Sequence, residues 1–375
     1  MLLLIPGPVT TRPEVRQAMA QDIAPWDNDF RPIYVGIRER VLRIAHGIPG
    51  QHATLPLQGS GHFAVEAALR TFLPPGGRIL IPATGAYSDR MVRLAREAGR
   101  VVVSLPVPDD TQASPAAIAT ALAADPGISH VGLVYSETGS GVIHDAPSIG
   151  AAVRHAGRRM ILDAVSAFGA LPLDLSAQPE IDAAIFTTNK CLEGLPGMSF
   201  AVARIDRAVA CAGNAGSWSL DLSDIYDHAL KSGWGSCRFT PAAQAITAFN
   251  LALDFYDAEG GQPARLARYA ENAATLHKGV IALGLEPCLP RALQGPIVLN
   301  VQAPADPAWS LQGFVDALKR RGFLISNFYN TKAPSFRVGC IGAITPDDMR
   351  RFVEAVDLTL IEIGVRDRGA SQKVA

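Results

Sequence analysis

Lysine is scarce in this chain, with 6 residues out of 375 against 28 arginines. Candidates for amine chemistry are therefore few, and a lysine in a telling place stands out. Net charge is lacking as well: 34 basic and 35 acidic residues leave −1, so no overall field recruits a polyanion and nucleic acid is not expected as a partner. The five cysteines (191, 211, 237, 288 and 340) are odd in number, scattered and never in a CxxC pair. That pattern suggests neither a disulfide framework nor a thiolate metal site, and it fits a reducing compartment. No HExxH motif occurs and only His46 and His52 lie close together, so no metal centre is expected. The longest run without Asp, Glu, Lys or Arg, Ile44 to Val65, is broken by glycine, proline, glutamine and histidine and does not read as a membrane span. The apolar start Met1 to Ile5 is stopped by Pro6, too short for a signal peptide. The expectation is a soluble, cytoplasmic protein. Neither GxxxxGK[ST] nor GxGxxG is present, which weakens nucleoside-triphosphate and Rossmann readings.

What is there is ample apolar material. Hydrophobic residues make up 48% and charged residues 18%, and the length favours two domains, or one large domain with an appendage. Short β-rich runs recur at Arg78–Ile81, Val101–Leu105, His130–Tyr135, Met160–Asp163, Ala184–Phe186 and Ser199–Val202, with amphipathic segments such as Ser88–Glu97 between several of them. This alternation predicts an α/β fold whose large domain has a mostly parallel sheet flanked by helices, with ligands beyond the carboxyl ends of the strands. After about residue 240 the texture changes to long helical stretches at 241–258 and 265–284, a strand at Ile297–Val301, and a helix opened by Thr345-Pro346-Asp347-Asp348. We expect an N-terminal arm over 1–20, a large domain over 21–255, a smaller C-terminal α/β domain over 256–365, and a polar, frayed tail over 366–375.

Three constellations could carry chemistry. Gln58-Gly-Ser-Gly-His62 leads into an apolar helical pattern, so Ser60, Gly61 and His62 would offer backbone N–H groups at the positive end of a helix, where a phosphate can bind without lysine. Asp163 ends an apolar strand; it either caps the next turn or points an anion into the ligand crevice, where it would keep a heterocycle nitrogen protonated. Lys190 follows the next strand, 27 residues on. Alone, a lysine after a strand is ordinary solvated surface. Together, a phosphate turn, a ring-nitrogen carboxylate and a Schiff-base lysine are the groups that pyridoxal 5′-phosphate requires.

The ordered series Pro6-Gly7-Pro8, Gly59-Ser-Gly-His62, Ser136-Glu-Thr138, Asp163-Ala-Val-Ser166, Asn189-Lys190-Cys191, Pro196-Gly197 and Phe336-Arg337-Val-Gly339 resembles the class V, fold type I aminotransferases, from residue 2 to about 360. Within them, Leu57–Gly61, Trp26–Asp29, Thr188–Gly197 and Arg238-Phe-Thr240 most resemble the branch that acts on 2-aminoethylphosphonate and pyruvate. The resemblance implies a homodimeric transaminase that takes a small amine donor and a 2-oxo acid, and gives phosphonoacetaldehyde and alanine by a ping-pong mechanism. It implies Lys190 as the Schiff-base lysine and proton carrier and Asp163 as the partner of the pyridine nitrogen. Tyr87 would stack on the cofactor ring, Ser60, Gly61 and His62 would form the phosphate turn, and Thr138 and Ser166 would flank the ring. Thr240 would bind the phosphate of the other subunit's cofactor, and Arg337 would grip the acid group of each substrate in turn.

Two departures bear on substrate. His62 replaces a serine and makes the turn more like that of alanine–glyoxylate aminotransferases, so an alanine- or serine-glyoxylate enzyme, or a related aminophosphonate transaminase, is the alternative. The stretch Ile325–Asn330 replaces a Tyr-Pro-Gly-Lys-like segment, so a second cation for the acid group is missing or displaced, with Lys332 as a possible substitute.

Overall fold

The computed structural model describes residues 1–328 and 333–370. Its strands are β1 (Leu2–Leu3), β2 (His52–Gln58), β3 (Arg78–Ala83), β4 (Val101–Pro106), β5 (Ile128–Val134), β6 (Arg159–Asp163), β7 (Ile181–Thr187), β8 (Met198–Arg204), β9 (Val298–Gln302), β10 (Phe323–Leu324) and β11 (Ser335–Gly339). Seven of them form one sheet in the order β2-β8-β7-β6-β5-β3-β4. β8 runs antiparallel to both its neighbours and every other pairing is parallel, so six strands deliver their carboxyl ends to the same edge.

The period-two alternation of each central strand feeds a core on each face. Leu162, Ala184, Phe186, Phe200 and Val202 face one cluster, together with Ile37, Val41 and Phe249 from helices 30–44 and 243–259. Ile161, Ala183, Ile185, Ala201 and Ala203 face the other, against Ala64, Ala68 and Phe72 of helix 61–72 and Met91 and Leu94 of helix 86–97. The rings of Phe168, Phe186 and Phe200 stack across the first face at 4.0 and 5.1 Å. A third cluster gathers Leu276, Leu299, Phe314, Phe336, Val338 and Phe352 around the antiparallel pair β9–β11. Leu4 belongs to this last cluster, and β1 pairs in parallel with β10, so the first residues of the chain are sewn to its C-terminal part. Among the described residues no helix is long and apolar enough to cross a membrane.

The sheet matches the α/β expectation, with β2 added as an edge strand that the period reading did not single out. Helix 346–362 opens as expected, with the Thr345 side chain accepting from the Asp348 N–H and Asp348 reaching back to Thr345 N. The first residues of the polar tail are bonded to the body of the protein. The Asp306 carboxylate accepts from Arg366 N at 2.8 Å and Asp367 N at 2.9 Å, and Ala305 N donates to Gly369 O. A carboxylate on the body satisfies the backbone donors of the tail, which polar composition alone does not reveal.

Candidate active site

Five of the six co-directional strands end in a residue of interest. β2 runs into Ser60-Gly61-His62, β3 into Tyr87, β5 into Thr138, β6 into Asp163 and Ser166, and β7 into Lys190. The register sets Asp163 beside Val134 of β5 and Ile185 of β7, so the sheet itself gathers these residues from 130 positions of sequence.

Asp163 is 9% exposed, and its Oδ1 accepts from Val165 N at 2.9 Å. Burial pushes its carboxyl up to about 6, opposed by that N–H bond and by the Lys190 cation. Lys190 is partly buried and makes no ion pair within 4 Å among the described residues. Burial pulls its ammonium below the ordinary value, which favours a neutral, nucleophilic amine. Burial pushes the Tyr87 phenol up, but the cations of Lys190 and Arg337 help carry it below its ordinary value. Cys191, next to the lysine, is fully buried with its thiol pushed up to about 12, an inert packing residue rather than a sulfur carrier.

Helix 61–72 begins at this edge. Its N-cap, Ser60, makes no side-chain cap bond, which leaves the first N–H groups of the helix for another acceptor. Gly61 permits the approach: a β-carbon there would stand 2.5 Å from Val165 Cγ2, in the turn after Asp163. Arg337, on β11, is 5% exposed; it donates from Nη1 to Thr138 O at 2.7 Å and from Nη2 to Ser326 Oγ at 3.2 Å, with its guanidinium 5.5 Å from the Phe328 ring centroid. A cavity of about 390 Å³ joins Arg337 to Tyr87 and to Ile5, Pro6 and Gly7 of the N-terminal arm. Thr240 stands apart from that cavity, in one it shares with Gln58, Phe63 and Arg238. Lys332 lies outside the described residues.

Two supports were not among the candidate residues. Glu137, fully buried, accepts from Gly139 N at 2.9 Å through Oε1, and from Tyr87 N at 3.1 Å and Ser88 N at 3.4 Å through Oε2. It thereby ties the Thr138 turn to the helix that carries Tyr87. The Tyr269 hydroxyl donates to Glu193 Oε1 at 2.8 Å, with Cys191 O 3.1 Å away as the alternative acceptor, and accepts from Gly342 N, which bolts the Lys190 loop to the segment after β11. Only the Ser-Glu-Thr motif hinted at the first; nothing local marks a tyrosine in a long helix as the second.

The family model described as Aminotransferase class-V matches residues 24–302. A 2-aminoethylphosphonate–pyruvate transaminase of Burkholderia ambifaria is 44% identical over 97% of this chain and 96% of its own, and one of Pseudomonas putida is 40% identical over 98% of each. Among solved structures, pyridoxamine-pyruvate aminotransferase from Mesorhizobium loti superposes with a TM-score of 0.88 at 24% identity, covering 98% of this chain and 93% of that one. An aspartate aminotransferase from Thermus thermophilus gives 0.85 at 26%, covering 97% and 100%. The chain belongs to the class V aminotransferase family.

Proposed function

We propose that the protein is a pyridoxal-phosphate-dependent transaminase that moves the amine of 2-aminoethylphosphonate to pyruvate. The carrying observation is the convergence of Lys190, Asp163 and the open helix start at Ser60–Gly61 on one sheet edge, in a chain 40–44% identical over nearly its whole length to proteins bearing that name. The residues fit the cofactor: the amine is unpaired among the described residues, the carboxylate is buried with no cation bonded to it, and the helix start lacks a side-chain cap. Bound there, pyridoxal phosphate supplies a carbonyl carbon for amine exchange and an electron-withdrawing ring that acidifies the adjacent C–H.

The chain's own residues do the rest. Ser60, Gly61 and His62 would hold the phosphate with backbone N–H groups, Asp163 would keep the ring nitrogen protonated, and Tyr87, Thr138 and Ser166 would flank the ring. Lys190 Nζ would act as the base that takes the proton from the substrate carbon bearing nitrogen and as the acid that gives it back. Arg337 grips the phosphonate of the donor and then the carboxylate of pyruvate, since a planar guanidinium suits both. The two half-reactions share these groups, so the kinetics are ping-pong. Thr240 completes the phosphate site of a second copy, which makes the working unit a homodimer; residues 21–255 form the cofactor-bearing domain, 256–365 the smaller one, and the enzyme works in the cytoplasm.

The test is product formation by the holoenzyme from 2-aminoethylphosphonate and pyruvate, with Lys190→Ala as control. We expect stoichiometric alanine and phosphonoacetaldehyde from the wild type and none from the variant; equal turnover by both would remove Lys190 from its role. His62 supports a second reading, an alanine- or serine-glyoxylate transaminase, which predicts turnover of alanine or serine with glyoxylate and none of the phosphonate.

A further inference from the structure

The cavity around Arg337 does not end at the arginine. It continues to helix 311–320, whose Gln312, Asp316 and Lys319 line it. Their spacing of four and then three residues puts all three on one face. Leu311, Phe314, Val315 and Leu318 of the same helix are buried and belong to the third apolar cluster, which fixes how the helix turns. Lys319 is the only lysine among the described residues that lines this cavity. It forms no ion pair within 4 Å there, and Asp316, three residues before it, instead accepts from Gln312 Nε2 at 2.9 Å.

Charge arithmetic gives this lysine a purpose. A phosphonate carries close to two negative charges above its second ionisation, near pH 6 for phosphoryl groups, whereas the carboxylate of pyruvate or alanine carries one. Arg337 is pinned by Thr138 O and Ser326 Oγ and brings one positive charge. It balances the carboxylate and leaves the dianion half compensated; Lys319 brings a further positive charge to the lining, set against the negative charge of Asp316 beside it.

We propose that Lys319 is the second cation of the acid-binding subsite, a specificity-determining residue that favours tetrahedral dianions over carboxylates. This rests on the aminophosphonate reading above.

The experiment uses the full-length holoenzyme as wild type, Lys319→Met, Lys319→Glu and Lys319→Arg. Steady-state kinetics with 2-aminoethylphosphonate and with L-alanine as donors are compared at pH 8. The ratio of kcat/KM for the phosphonate to that for alanine should fall about threefold to fivefold in Lys319→Met, as for loss of an exposed charged contact. The fall should be mainly in KM, deeper in Lys319→Glu and largely reversed in Lys319→Arg. Inhibition by ethylphosphonate and ethanesulfonate, similar in shape but carrying two charges and one, gives a readout independent of turnover: wild type should prefer the phosphonate, and Lys319→Met should lose that preference. An unchanged ratio, or equal losses on both donors, would overturn the role of Lys319. A wild type that uses alanine but not 2-aminoethylphosphonate would overturn the substrate reading beneath it, whatever the variants do.

Discussion

Gly7 lies directly against the side chain of Lys190: a β-carbon on Gly7 would stand 2.5 Å from Cδ and Cε of the lysine and 2.7 Å from Nζ. The N-terminal arm is thus a wall of the active site, held there by β1–β10 pairing, by Gly339 N donating to Leu4 O and by Val9 N donating to Asn189 O.

Gly7→Ala should therefore act on chemistry as well as on folding, because Gly7 has φ +152°, which strains any other residue. The lysine side chain must give way, because it is the mobile partner in the contact. We expect kcat of the folded variant to drop at least about tenfold, as misplacement of a reacting group by an ångström does, together with a lower melting temperature from the strained backbone. Unchanged kcat would show that the arm does not set the lysine's position.

Asp163 offers a separation of stability from activity. Its folded pKa of about 6 lies above the ordinary 3.8, so between those values the native chain holds a proton that the unfolded chain has lost. Stability of the cofactor-free protein therefore falls as pH rises from about 4 to about 6. Asp163→Asn keeps an oxygen for the Val165 N–H and does not titrate. In the cofactor-free form it should gain roughly 2–3 kcal/mol over wild type at pH 7 relative to pH 4, read by denaturant unfolding, while turnover falls by several orders of magnitude. Parallel pH profiles for the two proteins would contradict the buried-carboxyl account.

Glu137 should behave as a positioning residue. Burial pushes its carboxyl up to about 7 against three backbone N–H bonds. A glutamine has one carbonyl oxygen, so it keeps either the Gly139 bond or those to Tyr87 and Ser88, and turns an N–H₂ towards the rest. Glu137→Gln should change the visible circular dichroism of the bound cofactor through Tyr87 and lower kcat about tenfold, with KM little altered. Lost thermal stability with an unchanged spectrum and kcat would make the residue merely structural.

Much of this site was legible in the sequence because strand ends and glycine turns are local. The parallel strands were visible as β-branched runs, and the residues just beyond them, Ser60, Tyr87, Thr138, Asp163 and Lys190, fall at the predicted edge. Other features depend on partners far away in sequence. β2 was obscured because His52 and Pro56 interrupt its pattern, and only pairing with β8 makes it a strand. Glu137 meets Tyr87 across 50 positions and Tyr269 meets Cys191 across 78; neither contact leaves a periodic trace. Lys319 was invisible as a cavity residue, since the tilt of its helix is set by the third apolar cluster.

The central claim, amine exchange on a cofactor held by Lys190 with a phosphonate donor, is tested most directly by the visible spectrum of the purified holoenzyme. 2-Aminoethylphosphonate, L-alanine and L-serine are added separately, without any 2-oxo acid. The account predicts that the phosphonate and alanine each bleach the cofactor band, that pyruvate restores it, and that serine does so poorly. Bleaching by alanine or serine but not by the phosphonate would contradict the substrate assignment, and the absence of any visible band after addition of pyridoxal phosphate would contradict the mechanism.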